Sequence, residues 1–134
     1  MAHLNAVRML IADDDPNTLA AYVLFFADRG YDIRTARDGV GALAQYRAWR
    51  PAIVVLDIQM PHIDGRAVAR EIRRLQSKPF PLLMAVTALS APAEQAESIR
   101  SGFNYHFVKP ADLLVVVAAI AAAGIGPSAT DAYW

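Results

Sequence analysis

The chain has 134 residues, a formal net charge of zero, 55% hydrophobic residues and no cysteine. Domains commonly have about 100 to 150 residues, so this length predicts a single domain, and the apolar content excludes a disordered chain. The absence of cysteine excludes disulfides, zinc–thiolate sites and thiol nucleophiles. Because the charge is balanced, we expect no direct binding to nucleic acid.

The start of the chain and its longest apolar run indicate whether the protein is secreted or inserted in a membrane. Residues 1–8 lack the charged start, apolar run and cleavage site of a secretory signal, which predicts a cytoplasmic protein. The longest uncharged apolar run, 113–126, has 14 residues. A membrane-spanning helix needs about 20, so we expect no membrane insertion.

Short apolar runs alternate with stretches of helical spacing along the chain. The apolar runs predict strands at residues 7–12, 31–36, 52–56, 81–86 and 105–108. A predicted helix follows each strand: from Pro16 to near Gly30, capped by Asp15; from Asp38 to before Pro51; from Asp64 to before Pro79; over 91–101, capped by Ser90; and from Leu113 to about Ala123, capped by Asp112.

This alternation predicts a doubly wound α/β fold with a five-stranded parallel sheet. The third apolar run, 53–56, is apolar at every position, which is typical of a strand covered by helices on both faces. In such sheets, ligands bind outside the carboxyl ends of the strands. Polar residues that directly follow a strand are therefore the candidates for function.

Polar side chains follow four of the predicted strands. They are Asp13, Asp14 and Asp15 after the first strand, Asp57 after the third, Thr87 after the fourth and Lys109 after the fifth. Each alone is typical of a turn or a cap, and Asp15 is the predicted cap of the first helix. Together, the carboxylates of Asp13, Asp14 and Asp57 favour a hard divalent cation such as Mg²⁺, which leaves ligand positions for water and phosphate.

A phosphoryl group is therefore the expected ligand at this edge of the sheet. Lys109 supplies a compact positive charge and Thr87 a hydroxyl donor, and such groups stabilise phosphoryl transfer. Asp57 is then the predicted nucleophile, attacking phosphorus to form an acyl phosphate.

Four motifs carry a resemblance to a known family. The segment 55–61, Val-Leu-Asp-Ile-Gln-Met-Pro, followed by Asp64-Gly65, resembles the phosphoacceptor motif of CheY-like response regulator receiver domains. Residues 12–16, 86–88 and 108–110 are similar to that family's acidic pair, hydroxyl position and lysine–proline pair. The resemblance covers residues 6–123 and leaves 124–134 as a C-terminal tail.

The resemblance implies a flavodoxin-like sheet with strand order 2-1-3-4-5 and a cis peptide bond before Pro110. It implies that Mg²⁺ is held by Asp13, Asp14, Asp57 and the backbone carbonyl of Gln59. It further implies that Asp57 accepts phosphate from a histidine kinase or a histidine phosphotransfer protein, and that the chain is a regulator and not an enzyme.

One position departs from the family's usual pattern, and two others are expected to tune its chemistry. His106 stands three residues before Lys109, where the family usually has an aromatic residue. We consider both a switch role for His106 and a half-exposed surface histidine. Gln59 and Leu89, each two residues after a site residue, are predicted to tune hydrolysis of the phosphoaspartate, and because Leu89 cannot hold water we expect a long-lived species.

The helices suggest where partners bind. Leu113, Val116, Val117 and Ile120 form the predicted inner face of the fifth helix, yet Leu114 and Val115 make its outer face apolar as well. This predicts a partner surface, and in the resembled family the fourth helix, fifth strand and fifth helix bind a homodimer partner or a downstream target protein. The alternative is that the C-terminal tail folds over this helix and covers its outer face.

We expect the arginines of the third helix to form a solvated face, and His62 to be a loop residue.

Three other functions are weighed against this one. The Asp13-x-Asp15 spacing is also that of small Mg²⁺-dependent phosphohydrolases, but those enzymes need segments that 134 residues do not supply. A receiver domain that serves only as a docking module, without phosphorylation, would lack one of the acidic residues, the hydroxyl residue or the lysine. This chain has all of them. A receiver fragment of a larger regulator or hybrid kinase stays open.

Overall fold

The computed structural model describes residues 6–75 and 78–125, in which five strands and five helices alternate. The strands are β1 (Arg8–Ala12), β2 (Asp32–Ala36), β3 (Ile53–Leu56), β4 (Leu82–Thr87) and β5 (Tyr105–Val108). The helices are α1 (Pro16–Asp28), α2 (Gly39–Trp49), α3 (Gly65–Leu75), α4 (Pro92–Ser101) and α5 (Leu113–Ala122).

The strands form one parallel sheet in the order β2-β1-β3-β4-β5, which confirms the predicted doubly wound fold and its strand order. All of β3 is buried, as expected of a central strand covered on both faces. The register pairs Ala12 with Leu56 and Thr87 with Val108. The carboxyl ends of β1, β3, β4 and β5 therefore meet at one edge.

The sheet separates two apolar clusters because alternate strand residues point to opposite faces. Leu10 and Val54 belong to the cluster that includes side chains of α2 and α3. Met9 and Ile53 belong to the cluster that includes side chains of α1 and α5. Burial of both clusters fixes the helices against the sheet and leaves only loops at the carboxyl edge.

Two of the three predicted caps are confirmed. Asp15 and Asp112 each accept a hydrogen bond from the backbone amide two residues later. Asp38, which precedes α2, also acts as a cap and accepts from the Gly41 amide, although the sequence analysis does not predict it. The cap predicted at Ser90 is wrong, because α4 begins at Pro92 and its N-cap is Ala91, which makes no side-chain hydrogen bond. Proline favours the first helical position and holds the residue before it extended, so Ser90 lies one position too early.

The expectation of a solvated arginine face on α3 holds for Arg70 and Arg74, which are exposed, and is wrong for Arg66 and Arg73, which are partly buried. Arg73 donates to the backbone carbonyls of Gly102 and Pro81 at 2.8 and 2.9 Å, and to the Asn104 side chain at 2.8 Å. Arg66 and Arg70 donate to groups on α4. Gly102 is the C-cap of α4, and carbonyls at the carboxyl end of a helix lack partners within it, so Arg73 satisfies one of them from the neighbouring helix.

The outer face of α5 is apolar, as the sequence predicts. Val116 and Ile120 are fully buried, whereas Leu114 is 59% and Val115 is 51% exposed. Residues 126–134 lie outside the described residues, so the tail alternative stays untested. Within the described ranges, every helix is too short or too polar to cross a membrane.

Candidate functional site

Two of the three clustered carboxylates are buried at the ends of central strands. Asp13 directly follows β1 and is 2% exposed, and Asp57 directly follows β3 and is 6% exposed. Their backbones continue the sheet, since the Asp57 amide donates to Ala12 at 2.9 Å and the Asp13 amide donates to Ala36 at 3.2 Å. Asp14 is exposed, and one carboxylate oxygen from each of the three lies within 4.8 Å of the others.

Lys109 pairs with both buried carboxylates. Its Nζ donates to Asp13 Oδ2 at 2.8 Å and to Asp57 Oδ2 at 2.9 Å. The backbone places it there, because the Lys109 amide donates to the Thr87 carbonyl at 2.8 Å and the bond to Pro110 is cis. Burial alone would lower the pKa of Lys109, but the hydrogen bonds to Asp13 and Asp57 and their charges raise it above its ordinary value.

The second oxygen of each buried carboxylate accepts a backbone amide. Asp57 Oδ1 accepts from Gln59 N at 3.2 Å, and Asp13 Oδ1 accepts from Asp15 N at 2.9 Å. Each carboxylate is therefore held between a backbone amide of its own turn and the ammonium of Lys109, which is distant in the sequence. This fixes the plane of both groups and aims them at the open edge of the sheet.

A close approach of α3 shapes the loop that follows Asp57. Gly65, the first residue of α3, lies so near that a Cβ added to it would come within 2.3 Å of the Asp57 carbonyl oxygen. Its amide donates to the Ile58 carbonyl at 2.8 Å. Any side chain here would push α3 away from the loop, so the glycine is required by space.

Thr87 and Leu89 form the other side of the site. Thr87 is fully buried as the last residue of β4, and its hydroxyl accepts from the Leu89 amide at 3.4 Å. The Leu89 side chain is half-buried against the apolar cluster on the α2–α3 side of the sheet. Gln59 is exposed beside Asp57.

His106 is partly buried, and both of its ring nitrogens have partners. Nε2 lies 2.7 Å from the Leu89 carbonyl oxygen and Nδ1 lies 2.8 Å from Ser98 Oγ on α4. Ser98 was not among the predicted site residues, and its neighbour Arg66 was expected only on a solvated face. No spacing in the sequence signals that α4 turns a serine toward β5. His62 is an exposed loop residue, as expected.

The comparison with known families decides the chain's identity. Residues 9–121 match the response regulator receiver domain. The chain belongs to this family. It is therefore a receiver domain of two-component response regulators, as the resemblance of its motifs implies.

Individual relatives of this receiver domain are moderately similar. The chain is 35% identical over 103 residues to a probable transcriptional regulator, ycf27, of Galdieria sulphuraria, covering 77% of this chain and 39% of that protein. It is 29% identical over 117 residues to an uncharacterized 14.6 kDa protein of Leptolyngbya boryana, covering 87% of this chain and 89% of that protein. The chain spans 39–44% of the length of four curated relatives that it matches.

A solved structure agrees with the family. A chain of the CheX–CheY–BeF3–Mg²⁺ complex from Borrelia burgdorferi superposes on this one with a TM-score of 0.81 and 26% identity. The match covers 89% of this chain and 90% of that one. The fold is thus shared with a solved receiver-domain structure.

We predict that replacing Lys109 by methionine destabilises the fold. Asp13 and Asp57 would then stay buried without their counter-charge, at a cost of about 3 kcal/mol in the free energy of unfolding. Because folding raises the Lys109 pKa, this contribution is complete below the ordinary lysine pKa of about 10.4 and disappears only as the pH rises through the raised value. Urea denaturation at neutral pH measures the difference.

Arg100→Met is the matched control, since it removes an exposed ion pair with Glu97 on α4. An exposed pair contributes little, so this variant should lose less than about 1 kcal/mol. Equal losses in the two variants would contradict the assigned role of Lys109.

Proposed function

We propose that the chain is the phosphoacceptor of a two-component phosphorelay and that Asp57 receives the phosphoryl group. One observation carries the proposal: Asp57 is buried at the end of the central strand and shares the Lys109 ammonium with Asp13. A carboxylate in such a position is fixed for attack, and a cation is already in place for the phosphoryl charge.

The reaction needs only groups at this edge. An Asp57 carboxylate oxygen forms a bond to phosphorus while the bond from phosphorus to the donor's imidazole nitrogen breaks, and that nitrogen then takes a proton from water. Lys109 shifts from the carboxylate to a phosphoryl oxygen. The Thr87 hydroxyl, which accepts from Leu89, keeps its own proton to donate to another phosphoryl oxygen.

The donor set of the site fits Mg²⁺. Asp13, Asp14 and Asp57 each offer a carboxylate oxygen within 4.8 Å of the others, and hard oxygen donors are the ligands that Mg²⁺ prefers. We propose that these residues and the Gln59 backbone carbonyl hold the ion. When bound, Mg²⁺ offsets the repulsion between the carboxylates and the incoming phosphoryl group.

The proposed partners follow from this chemistry. The phosphoryl donor is a histidine kinase or a histidine phosphotransfer protein, and the recipient of the signal is a downstream target protein or a second copy of the chain. The chain itself acts as a regulator, with self-phosphorylation from small donors and autodephosphorylation as its only chemistry. The domain proposed for this role is residues 6–123, alone or as the receiver segment of a longer regulator.

The geometry disfavours the phosphohydrolase alternative. That function needs the Asp15 carboxylate free to serve as an acid or base beside Asp13. Instead, Asp15 accepts from the Asn17 amide at 3.1 Å and from the Thr18 hydroxyl at 2.8 Å. The Thr18 hydrogen bond, followed by that of Asn17, lowers the Asp15 pKa, which suits a cap and not a proton donor.

We predict that acetyl phosphate with Mg²⁺ labels the chain once, at Asp57. Asp57→Asn should abolish the label, since the amide is not a nucleophile. Asp14→Asn or removal of the metal by chelation should reduce it strongly without unfolding the protein, because Asp14 is exposed. Intact mass spectrometry and peptide mapping measure both outcomes.

Asp64→Asn is the control, since Asp64 is an exposed acid whose side chain accepts from the Ala67 amide at the start of α3. It should label like the unaltered chain. Full labelling of Asp57→Asn would contradict the proposed function, and loss of the label in Asp13→Asn with retention in Asp57→Asn would favour the phosphohydrolase.

We predict a slowly hydrolysed phosphoaspartate, with Leu89 as one cause. Leu89 offers no hydrogen bond to an attacking water, so Leu89→Glu should hydrolyse several-fold faster. Leu89→Met keeps the packing and should match the unaltered chain. Phosphate release after removal of the small donor measures the rates, and equal rates in all three proteins would exclude position 89 from the mechanism.

We predict that the exposed apolar face of α5 binds a partner together with α4 and β5. Leu114 and Val115 expose apolar surface that a partner would bury. Light scattering should show phosphorylation-dependent self-association that Leu114→Glu with Val115→Lys removes. Leu24→Glu, on the most exposed leucine of α1, is the control. A monomer in both states, with unchanged target binding by the double variant, would contradict this role.

A further inference from the structure

A groove lies at the amino ends of β4 and β5, on the edge of the sheet opposite to the proposed phosphorylation site. Its volume is about 650 Å³, within the range of about 300 to 1,000 Å³ that is typical of binding pockets. We name it the amino-edge groove and define it by the side chains that line it: Arg73, Phe80, Leu82, Ile99 and Phe103. The chemistry proposed at Asp57 makes no use of it.

The apolar side chains of the amino-edge groove are only partly covered. Phe80 is 56% and Ile99 is 52% exposed, whereas Leu82 and Phe103 of the same groove are buried. A ring that enters an apolar groove loses water from more of its surface than a ring on a flat face, so the groove favours a large apolar side chain.

Arg73 supplies a fixed cation at the wall of the groove. Its Nε donates to the Gly102 carbonyl at 2.8 Å. Its two Nη atoms donate to the Pro81 carbonyl at 2.9 Å and to Asn104 Oδ1 at 2.8 Å. A guanidinium held by three hydrogen bonds is already ordered, and aromatic rings stack on such a group. The groove is therefore suited to an aromatic side chain.

The C-terminal segment, residues 126–134, is attached at this groove. Ile125, the last residue that the structure describes, also lines it. A Schellman motif at the end of α5 fixes its position. The Ile125 amide donates to the Ile120 carbonyl at 3.3 Å, and the Gly124 amide donates to the Ala121 carbonyl at 3.0 Å. Gly124 has a φ of 75°, as this motif requires.

The composition of the C-terminal segment matches the groove. It begins with Gly126 and Pro127, a pair that favours a turn, and ends with the aromatic residues Tyr133 and Trp134. Nine residues span at most about 30 Å when extended, which is enough to return to a groove that begins at Ile125. A short tether also gives an effective concentration in the millimolar range, which favours this segment over a separate partner.

We propose that residues 126–134 fold back onto the amino-edge groove of the same chain, where Tyr133 and Trp134 cover Phe80 and Ile99. One of the two rings stacks on the Arg73 guanidinium. The contact removes apolar surface from water and joins the end of α5 to α3 and α4. It does not depend on the chemistry proposed at Asp57.

The outer face of α5 is the poorer site for this segment. Leu114 and Val115 lie in the first turn of α5, whereas the segment leaves from the opposite end of the helix, beside the amino-edge groove. That face also has no charged residue between Asp112 and the end of the helix, and so no guanidinium for a ring to stack on.

Nuclear magnetic resonance of the full chain tests the proposal. Nuclear Overhauser contacts should join the Trp134 ring to the Ile99 methyl groups and to the Phe80 ring. Acrylamide quenching of tryptophan fluorescence gives a second measurement. The other tryptophan, Trp49, is buried, so quenching reports mainly on Trp134.

Two variants separate docking from general apolar exposure. Ile99→Glu should remove the contacts of Trp134 and increase quenching several-fold, because a charge then lies in the groove. Val40→Glu is the matched control, since Val40 is an apolar helix residue as exposed as Ile99 but lies on α2. It should keep both the contacts and the low quenching.

Each alternative occupant has its own outcome. Contacts of Trp134 with Leu114 or Val115 would overturn the proposal in favour of the outer face of α5. Contacts found only between labelled and unlabelled chains in a mixed sample would assign the groove to a second copy. Free quenching of Trp134 in the unaltered chain, without contacts, would overturn the proposal outright.

The same test can be made from the segment. If Ile99→Glu does not fold, Tyr133→Ser with Trp134→Ser carries the test, because both residues follow the last helix. This variant should shift the resonances of Phe80 and Ile99 and leave those of Val40 in place. Unshifted resonances in the groove would contradict the proposal.

Discussion

The arrangement at the carboxyl edge depends on one ammonium group that serves two buried carboxylates. Asp13 and Asp57 reach this edge because their strands are neighbours in the sheet, and burial there carries a large cost for each charge. Lys109 offsets both charges at distances below 3 Å. The same pairing keeps the lysine charged and holds it where a phosphoryl group would need a cation. Stability and readiness for chemistry thus come from the same contacts.

Much of this could be predicted from the sequence because the relevant signals are local. Apolar runs, helical spacing and the predicted aspartate caps Asp15 and Asp112 define the elements. Parallel topology then brings the residues after each strand to one edge without knowledge of any side-chain contact. The position of Asp57 beside Asp13 then follows from the order of the strands, which the resemblance to the family implied.

The contacts of the α3 arginines and of His106 could not be predicted, because they join residues that are distant in the sequence. Helical spacing showed that the arginines of α3 lie opposite its apolar face, but not that α4 presents carbonyls and serines to them, about 30 positions along the chain. The partners of His106 were hidden for the same reason. The start of α4 was misplaced for a local reason, because a serine cap and a proline at the first turn competed and the proline decided.

The two sides of the sheet differ in how they can respond to a new charge. Helices α1 and α5 carry no charged residue except Asp28, and their contact with the sheet is apolar. Close-packed apolar contacts resist small displacements, because every shift loses contact or creates overlap. Helices α3 and α4 are joined to each other by hydrogen bonds that arginines of α3 donate. One hydrogen bond can be exchanged for another at a small net cost in free energy. A charge added at Asp57 should therefore displace α4 more readily than α5, while the exposed side of α5 stays a fixed surface beside the moving helix.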